Sequence, residues 1–408
     1  MVPGARRRSR LPGSPVPVLD EAPEPGRTAL APLLRFYLAG ARLPARRSLR
    51  QDRAVLPAPR SWSEVTATWM TKAMAARCPG VVIDNVEIED LADGTNRRAT
   101  LRLSYAKGTG PTSVFVKAQG RMLHRLALVA LGAFATEARL ADSGLDLPLH
   151  HPLPYASAIN WSRLAALVVM EDITKSGGRP NQATTPLDVA EVREGLGGLA
   201  RLHAAYWDRE LPSALSFLRP WRLGRVWAPV SGASLLRGIA RLARLGQGML
   251  IPARLDLRHL EAQFRRSAVL AASGPQTVLH GDPHPGNTYS LPGKRTGFYD
   301  WQLARQGNWS HDVGYFLVSS LDTPTRRIHE RALLAAYLDA LRSAGVVAPA
   351  AGEAWARYRA TPAFGLGTWL HTLSAGSFQP DDVCLVTLAR FAAAYEDLET
   401  HRSLVAAH

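Results

Sequence analysis

The order of the predicted elements is the feature that most constrains the fold of this chain. Residues 81–87, 99–105 and 113–118 are rich in β-branched and aromatic residues and are bounded by turn signals, which predicts three strands. A helix rich in Leu and Ala is expected over residues 121–143, and two more strands are predicted at 155–160 and 164–170. The first half of the chain is therefore expected to form a small unit rich in strands.

A mostly helical pattern follows these strands. Thr185-Pro186 is typical of a helix start, with a capping residue, Pro at the first position and Asp188 in the first turn. One hairpin, formed by residues 288–290 and 297–299, is predicted to interrupt the helices. Together the elements predict an α+β protein with a small β-rich N-lobe and a large, mostly helical C-lobe.

Composition and charge limit the class of protein and of partner. The chain has 408 residues, of which 46% are hydrophobic and 20% are charged, and this balance is typical of a globular protein of two or three units. Its formal net charge of +15 first suggests a nucleic acid or an anionic membrane as partner. Residues 61–208 are neutral, with 15 basic and 15 acidic side chains, so the excess lies in residues 1–60 (+8) and 209–408 (+7). Because the charge is not spread over the whole chain, we expect no nucleic-acid partner.

Cysteine content and apolar runs indicate the compartment. Cys78 and Cys384 cannot form a disulfide framework, which favours the reducing cytoplasm. The longest apolar run, residues 126–135, is far shorter than the ~20 residues that span a bilayer, so no transmembrane segment is expected. Residues 1–60 are rich in Pro and Arg and are expected to form a loosely held extension; an anchor on a membrane surface is the alternative.

One apparent cofactor motif lies in the wrong structural context. Residues 195–200 fit the dinucleotide fingerprint GxGxxA, which requires a preceding strand and a helix that begins at the glycines. Here the glycines fall inside a predicted helix that starts about ten residues earlier. Small residues that allow close packing of helices are therefore the better interpretation.

The sequence HGDPHPGN carries the clearest chemical signal. Asp282 and Asn287 are five residues apart in this loop, whose prolines and glycines prevent a helix, and the predicted hairpin can return Asp300 to it. Asp282 could then meet a hydroxyl group, while Asn287 and Asp300 could hold a hard cation such as Mg²⁺. Phosphoryl transfer uses such a set, because its catalysis is mostly positioning and charge neutralisation. The alternatives are a zinc site that includes His280 and His284, and a structural turn without chemistry.

A lysine in the N-lobe could serve the same reaction. Lys117 is one of only five lysines and lies within the third predicted strand, where it could contact the α- and β-phosphates of ATP. Glu137, on the following helix, is suited to form an ion pair with it. The alternatives are an edge lysine that discourages aggregation and an ordinary solvated glutamate.

Two further segments could contact a nucleotide. Gly94, Thr95 and Asn96, between the first two strands, could place backbone N–H groups over the phosphates, although a plain hairpin turn fits almost as well. Met170 and Glu171 would form a hinge between the lobes, where backbone groups and apolar side chains could receive a purine.

These residues together resemble the aminoglycoside phosphotransferase and choline kinase superfamily. The resemblance spans about residues 61–400 and rests on residues 280–287, 298–302 (FYDWQ) and 311–313 (HDV). The sequences TATW, MED and LARLHAAYW are most similar to the ecdysteroid-kinase-like branch, also called CHK kinase-like. The resemblance implies a bilobal protein-kinase-like fold, with an extension at 1–60, a nucleotide-binding N-lobe at 61–172, and a C-lobe at 173–408 that carries the catalytic loop and the acceptor site.

The resemblance also implies roles for the candidate residues. Asp282 matches the catalytic base, and His280 is expected to brace its loop. Asn287 and Asp300 match the Mg²⁺ ligands, Lys117 the lysine that binds phosphate, and Glu137 its partner. The nucleotide would be ATP, with GTP as a possible substitute.

Departures from the protein-kinase pattern argue against a protein substrate. Tyr299-Asp300-Trp301 stands where protein kinases have Asp-Phe-Gly, and Gly281 replaces the Arg of their catalytic loop. We therefore predict an ATP- and Mg²⁺-dependent kinase that phosphorylates a hydroxyl of a small molecule, such as an alcohol, a sugar, a sterol-like compound or an antibiotic. The alternatives are a pseudokinase that binds nucleotide without turnover, and a basic module that binds nucleic acid or membranes.

Overall fold

Five strands form the antiparallel sheet of the N-lobe. The computed structural model describes residues 56–93, 96–220, 227–257 and 259–406. The strands are β1 (Val82–Asp93), β2 (Asn96–Lys107), β3 (Ser113–Gln119), β4 (Pro154–Asn160) and β5 (Ala165–Glu171). Their order in the sheet is β1-β2-β3-β5-β4. The five strands predicted for the N-lobe are all present, but β1 runs to Asp93, six residues beyond its predicted end at residue 87, and the other ends differ by three residues or fewer.

The sheet is covered on both faces, as the side chains of β5 show. Leu167 and Val169 belong to a core that includes helix α1 (Ala67–Met74). Val168 and Met170 point to the opposite face and belong to a second core. A strand buried on both faces reads as an unbroken apolar run, which is what β5 shows in the sequence.

The single helix predicted over residues 121–143 is wrong, because two helices occupy this region. They are α2 (Met122–Ala130) and α3 (Thr136–Asp142). Gly132 has a φ of +70°, a conformation that glycine adopts readily and that ends a helix. The Leu and Ala pattern on both sides of Gly132 conceals this break, and the break leaves α3 free to pack under β4 and β5.

The C-lobe is mostly helical. Its helices are α4 (Val189–Ala205), α5 (Trp227–Arg244), α6 (Leu260–Ala271), α7 (Ser310–Ser320), α8 (Thr323–Ser343), α9 (Ala351–Ala360), α10 (Pro362–Ala375), α11 (Asp381–Asp397) and α12 (Thr400–Ala406). Its short strands are β6 (Arg179–Pro180), β7 (Gln276–Leu279), β8 (Thr288–Leu291), β9 (Arg295–Phe298) and β10 (Arg305–Asn308). Strands β8 and β9 form the predicted hairpin, with β6 beside β8, while β7 pairs with β10 in a separate sheet. The predicted α+β arrangement is confirmed.

Helix α4 begins at Val189, later than the predicted start at Thr185-Pro186. Asp188 caps it instead: the Asp188 carboxylate accepts from the N–H of Ala190 at 2.8 Å, and Glu191 accepts from the N–H of Asp188 at 3.1 Å. This reciprocal pair is a capping box, which satisfies the free N–H groups at a helix start better than Thr185 could.

The glycines of the apparent dinucleotide motif lie inside α4. A Cβ added to Gly195 would lie 2.7 Å from the Phe316 ring of α7, so a larger residue would force the two helices apart. Close packing of helices therefore explains this glycine. Within the part of the chain that the structure describes, no helix is both long and apolar enough to cross a membrane.

Candidate active site

Lys117, Glu137 and Asp300 meet between the two lobes. Lys117 projects from β3, and its Nζ lies 2.7 Å from Glu137 Oε2 on α3 and 2.6 Å from Asp300 Oδ1 in the turn after β9. Lys117 is buried. The pairing of Lys117 with Val168 across β3 and β5 places its side chain on the face that α3 covers. Asp300 is more than 160 residues from Lys117 and Glu137 in the sequence, so the fold alone brings it to them.

Lys117 and Asp300 stabilise each other's charge, whereas the two carboxylates repel each other. Burial alone would lower the pKa of Lys117, but Asp300 and Glu137 together outweigh it and raise that pKa. Burial would raise the pKa of Asp300, yet the ion pair with Lys117 holds it below its usual range. The pKa of Glu137 is raised, first by burial and then by the charge of Asp300. Lys117 and Asp300 are therefore charged at neutral pH, and Glu137 is the member of the cluster that takes up a proton most easily.

Glu137 also fixes the turn that carries Asp300. Its second carboxylate oxygen accepts from the N–H of Trp301 at 3.1 Å. Asp300 itself has a φ of +65°, in the left-handed region that Asp enters more readily than most residues. One carboxylate thus holds both Lys117 and the residue that follows Asp300.

Asp312 organises the start of the loop of residues 280–287. On α7, its carboxylate accepts from the N–H groups of His280 at 2.7 Å and Gly281 at 3.0 Å. Gly281 has a φ of +87°, and a Cβ at this position would lie 2.1 Å from the carbonyl oxygen of Leu303. Only glycine fits here, which gives a physical reason for the absence of the Arg found in protein kinases.

His280 braces the same loop through both ring nitrogens. Nε2 donates to the carbonyl of Tyr299 at 3.0 Å, and Nδ1 accepts from the N–H of Asp282 at 3.3 Å. Burial lowers the pKa of His280, so its ring is neutral. Since both nitrogens already have partners, this histidine is poorly suited to bind zinc or to transfer a proton.

Asp282 and Asn287 form a hydrogen-bonded pair within the loop. Asn287 Nδ2 donates to the carbonyl oxygen of Asp282 at 2.9 Å and to its Oδ2 at 3.1 Å. Burial raises the pKa of Asp282 to about 8, and the negative charge of Asp300 acts in the same direction. The side chain of Asp282 is 23% exposed, so it remains accessible to a hydroxyl group.

Oxygen ligands for a hard cation are present, but they do not form a complete protein site. Because Asn287 Nδ2 is held by Asp282, the amide oxygen is the atom left for a cation, and Asp300 supplies a carboxylate. In the described part of the chain, no cluster of three or more His, Cys, Asp or Glu side chains could hold a metal. This donor set fits Mg²⁺, which is usually bound by one or two protein ligands together with water and phosphate oxygens.

Of the other residues predicted to contact a nucleotide, Met170 lines a pocket beside the cluster, while Asn96 and Glu171 form hydrogen bonds within the protein. Asn96 is buried and its Nδ2 donates to Gln302 Oε1 at 3.0 Å, whereas Gly94 and Thr95 lie outside the described residues. Met170 lines a small pocket together with Glu137 and Asp300. Glu171 donates its N–H to the carbonyl of Leu153 at 2.9 Å, and its carboxylate accepts from Ser176 Oγ. Its N–H and carboxylate therefore have partners within the protein.

The sequence also suggests Trp369, His371 and Phe378 of the C-terminal helices as walls of the acceptor site, but the structure does not place all three near the loop. The Trp369 ring lies 5.5 Å from the ring of His284, whose Nε2 is 3.8 Å from Asp282 Oδ2. His371 instead bonds to Ser231 on α5 at 3.2 Å, and Phe378 packs against a histidine of α2. Of the three, Trp369 is the one placed beside the proposed base.

Two residues near Asp282 were not identified from the sequence. The hydroxyl of Tyr315 forms a hydrogen bond with the Asp282 side chain, and Tyr315 is buried. Burial lowers the pKa of Arg305 to about 10, while the charges of Asp282 and Asp312 act against this shift. Tyr315 follows Asp312 by three residues and so lies on the same helix face, a signal that could have identified it.

The chain is similar to several solved structures of phosphotransferases and kinases. No curated protein matches its sequence. Among solved structures, it is similar to the macrolide 2'-phosphotransferase of Brachybacterium faecium, with 17% identity, 77% of this chain and 98% of that chain covered, and a TM-score of 0.41. It is also similar to the choline kinase of Streptococcus pneumoniae, with 16% identity, coverages of 82% and 98%, and a TM-score of 0.44. A spectinomycin phosphotransferase in complex with ADP and spectinomycin has 13% identity, coverages of 80% and 98%, and a TM-score of 0.43.

At these identities and TM-scores, the likeness to solved structures identifies neither a substrate nor a nucleotide for this chain. A family model gives the stronger result. The model of the phosphotransferase enzyme family matches residues 105–360, which is more than half of the chain and includes Lys117, Asp282 and Asp300. The chain therefore belongs to the phosphotransferase enzyme family.

Proposed function

We propose that this protein is an ATP- and Mg²⁺-dependent kinase that phosphorylates a hydroxyl group of a small molecule. The observation that supports this most directly is the ion-pair cluster of Lys117, Glu137 and Asp300, with Lys117 2.7 Å and 2.6 Å from the two carboxylates. The same region contains Asp282 and Asn287, joined by a hydrogen bond of 3.1 Å. A phosphate-binding cation, a base and oxygen ligands for a metal are the groups that phosphoryl transfer requires.

In this proposal, each residue has a role that follows from its surroundings. Lys117 binds the α- and β-phosphates of ATP, and Glu137 keeps its side chain extended toward them. Asp282 accepts the proton of the acceptor hydroxyl, and the hydrogen bonds from Asn287 and Tyr315 hold its carboxylate in place. His280 and Asp312 act through the loop backbone and are positioning residues.

Asn287 and Asp300 would hold Mg²⁺, which, when bound, neutralises phosphate charge and orients the transferred group. Asp300 forms an ion pair with Lys117 in the structure and would be shared between Lys117 and the cation, and Lys117 would supply a second positive charge to the phosphates. With less negative charge on Asp300, the carboxylate of Asp282 also loses a proton more easily.

The remaining assignments belong to the same proposal. Residues 61–172 would bind the nucleotide and residues 173–408 the acceptor, in a cytoplasmic protein. The motifs TATW and LARLHAAYW support membership of the ecdysteroid-kinase-like branch as part of this proposal. Trp369 packs on His284, and His284 lies beside Asp282, but both rings are buried and would support the loop from behind while the acceptor meets the exposed part of Asp282. A neutral or amphipathic alcohol fits the proposal better than a polycationic acceptor, because residues 209–408 carry a net charge of +7.

Turnover of γ-labelled ATP against a panel of hydroxyl compounds tests the proposal. We expect label transfer to at least one alcohol in the presence of Mg²⁺, with loss of transfer in Asp282→Asn. A thermal shift with ATP and Mg²⁺ measures nucleotide binding separately, and Asp282→Asn is expected to retain it. No thermal shift in the wild-type protein would contradict the proposal, while a shift without label transfer to any compound would support the pseudokinase alternative.

A further inference from the structure

The positive charge of the C-lobe is concentrated, along the sequence, in the segment that contains helix α5. Residues 211–255 contain seven arginines and no Asp or Glu, a surplus equal to the entire +7 of residues 209–408. The arginines are Arg219, Arg222, Arg225, Arg237, Arg241, Arg244 and Arg254. A run of this length without an acidic residue produces a positive field on whatever surface it forms.

Among the residues of α5 whose side chains the structure describes, 231–244, the exposed ones are Ala, Leu and Arg. Six of its positions fall within about 120° of arc at 100° per residue, and all six are exposed. They are Ala233, Leu236, Arg237, Ala240, Ala243 and Arg244. On the opposite side, Leu235 and Leu242 are buried, and Gly238 approaches α10 so closely that a Cβ would lie 2.4 Å from the carbonyl of Leu370. Packing on α10 therefore fixes which side of α5 meets the solvent.

Large aliphatic side chains lie on this side and at the end of the helix. Leu236 is 57% exposed, Leu245 is 39% exposed and Met249 is 88% exposed. Arg241 lies on the flank and is paired with Asp381 at 2.8 Å, so the charge that points outward is mainly that of Arg237 and Arg244. An exposed apolar patch bordered by one sign of charge is typical of an interaction surface.

We propose that the α5 face, defined as the six exposed positions with Leu245 and Met249, docks on an anionic membrane surface. Aliphatic side chains can enter the boundary between headgroups and acyl chains while arginines contact the phosphates, which is how basic amphipathic helices bind membranes. A nucleic acid would satisfy Arg237 and Arg244 but would leave Leu236 and Met249 in water. The extension of residues 1–60 carries +8, so its charge opposes binding to the same face.

Docking on this face has a consequence for the rest of the C-lobe. Helix α10 lies directly behind α5 and carries Trp369, which contacts His284 beside Asp282. The candidate acceptor region is thus separated from the docked surface by the α5–α10 layer. The proposal does not depend on the proposed kinase activity, since it concerns binding to lipid alone.

Sedimentation with vesicles tests the proposal on the full chain. We expect binding to vesicles of equimolar phosphatidylcholine and phosphatidylglycerol, weak binding to phosphatidylcholine alone, and a decrease as salt is raised. Each arginine near an anionic surface contributes roughly a fivefold factor in affinity, so Arg237→Gln with Arg244→Gln is expected to lower the partition coefficient about 25-fold. Leu236→Ser with Met249→Ser should also weaken binding, because it removes the apolar part of the patch.

Matched control variants separate this surface from general charge and apolarity. Lys72→Gln with Arg77→Gln removes the same charge from an exposed part of the N-lobe, and Ile328→Ser with Val347→Ser removes side chains that are 74% and 94% exposed elsewhere. Both controls are expected to bind vesicles like the wild-type protein, and unchanged melting temperatures would show that every variant is folded. No binding to anionic vesicles, equal loss in the controls, or full binding by the Arg237 and Arg244 variant would overturn the proposal. Tighter binding of the wild-type protein to a DNA duplex, lost in the same variant, would also overturn it.

Discussion

Replacing Asp282 with Asn is expected to stabilise the protein while removing its proposed base. In the folded protein, burial and the charge of Asp300 raise the pKa of Asp282 from 3.8 to about 8. Between these two pH values the unfolded chain has lost the proton, whereas the folded protein retains it. The stability of the wild-type protein therefore falls as the pH rises through this interval. Asn carries no proton to lose, so this destabilisation is absent from the variant.

The size of the effect follows from the separation of the two pKa values. A pH of 7 is about three units above the pKa of this carboxyl in the unfolded chain. At 1.36 kcal/mol per unit, the free-energy difference is roughly 4 kcal/mol. The Asp282 side chain is 23% exposed, and screening by water reduces this contribution. We expect about half, a gain of ~2 kcal/mol at pH 7 and ~0.5–1 kcal/mol near pH 5.

Urea unfolding followed by tryptophan fluorescence measures this gain at the two pH values. Asp339→Asn is the matched control, because its side chain is 72% exposed and the same chemical change is made in solvent. The control is expected to change the unfolding midpoint little at either pH. A destabilised Asp282→Asn protein at pH 7, or a gain that does not grow with pH, would refute the view that a buried carboxyl is held protonated beside Asp300.

Three other predictions follow from the same site. Lys117→Met leaves two partly buried carboxylates without their counter-charge, so we expect a loss of roughly 3 kcal/mol in unfolding free energy and no thermal shift with ATP. Lys107→Met, on an exposed strand position, should change neither. Gly281→Ala is expected to cost about 3 kcal/mol or to prevent folding, because its Cβ would lie 2.1 Å from a carbonyl oxygen; Gly293→Ala, with a φ of +77° but open space around it, should cost only about 1 kcal/mol in a urea titration. For an acceptor found by the label screen, kcat/KM should rise with pH, since Asp282 must be ionised to accept a proton. Its apparent pKa should lie below the value of about 8 for the cation-free protein, because Mg²⁺ offsets the charge of Asp300, and a profile that falls from pH 5 to pH 8 would contradict the role of Asp282 as base.

The local parts of the site could be predicted from the sequence because their geometry is set by short spacings. Asp282 and Asn287 lie in one rigid loop, so a separation of five residues is enough to bring them within hydrogen-bond distance, 3.1 Å. The position of Lys117 within an apolar strand likewise predicted a buried cation, and the structure pairs it with Glu137. The catalytic roles of these residues stay predictions until the assays above are done.

Contacts between distant segments could not be predicted in the same way. The hydrogen bond from Tyr315 to Asp282 depends on how α7 packs behind the loop, and the nearness of Arg305 depends on β10, a strand of four residues without a sequence signal. The break at Gly132 was missed for a different reason. The Leu and Ala residues on both sides favour a helix, and that periodicity outweighed the signal of a single glycine.

Hydrogen bonds connect the N-lobe to the segment that follows β9 in the C-lobe. The charged cluster therefore depends on the packing of one lobe against the other. Glu137 of α3 accepts from the N–H of Trp301 at 3.1 Å, and Asn96 of β2 donates to Gln302 at 3.0 Å. Both contacts run from the N-lobe to residues immediately after Asp300. Any movement of α3 away from this segment would separate Glu137 from Trp301 and Lys117 from Asp300 together. The cluster is therefore formed only when the lobes are in this arrangement, and the position of the N-lobe controls both the cation offered to phosphate and the negative charge that raises the pKa of Asp282.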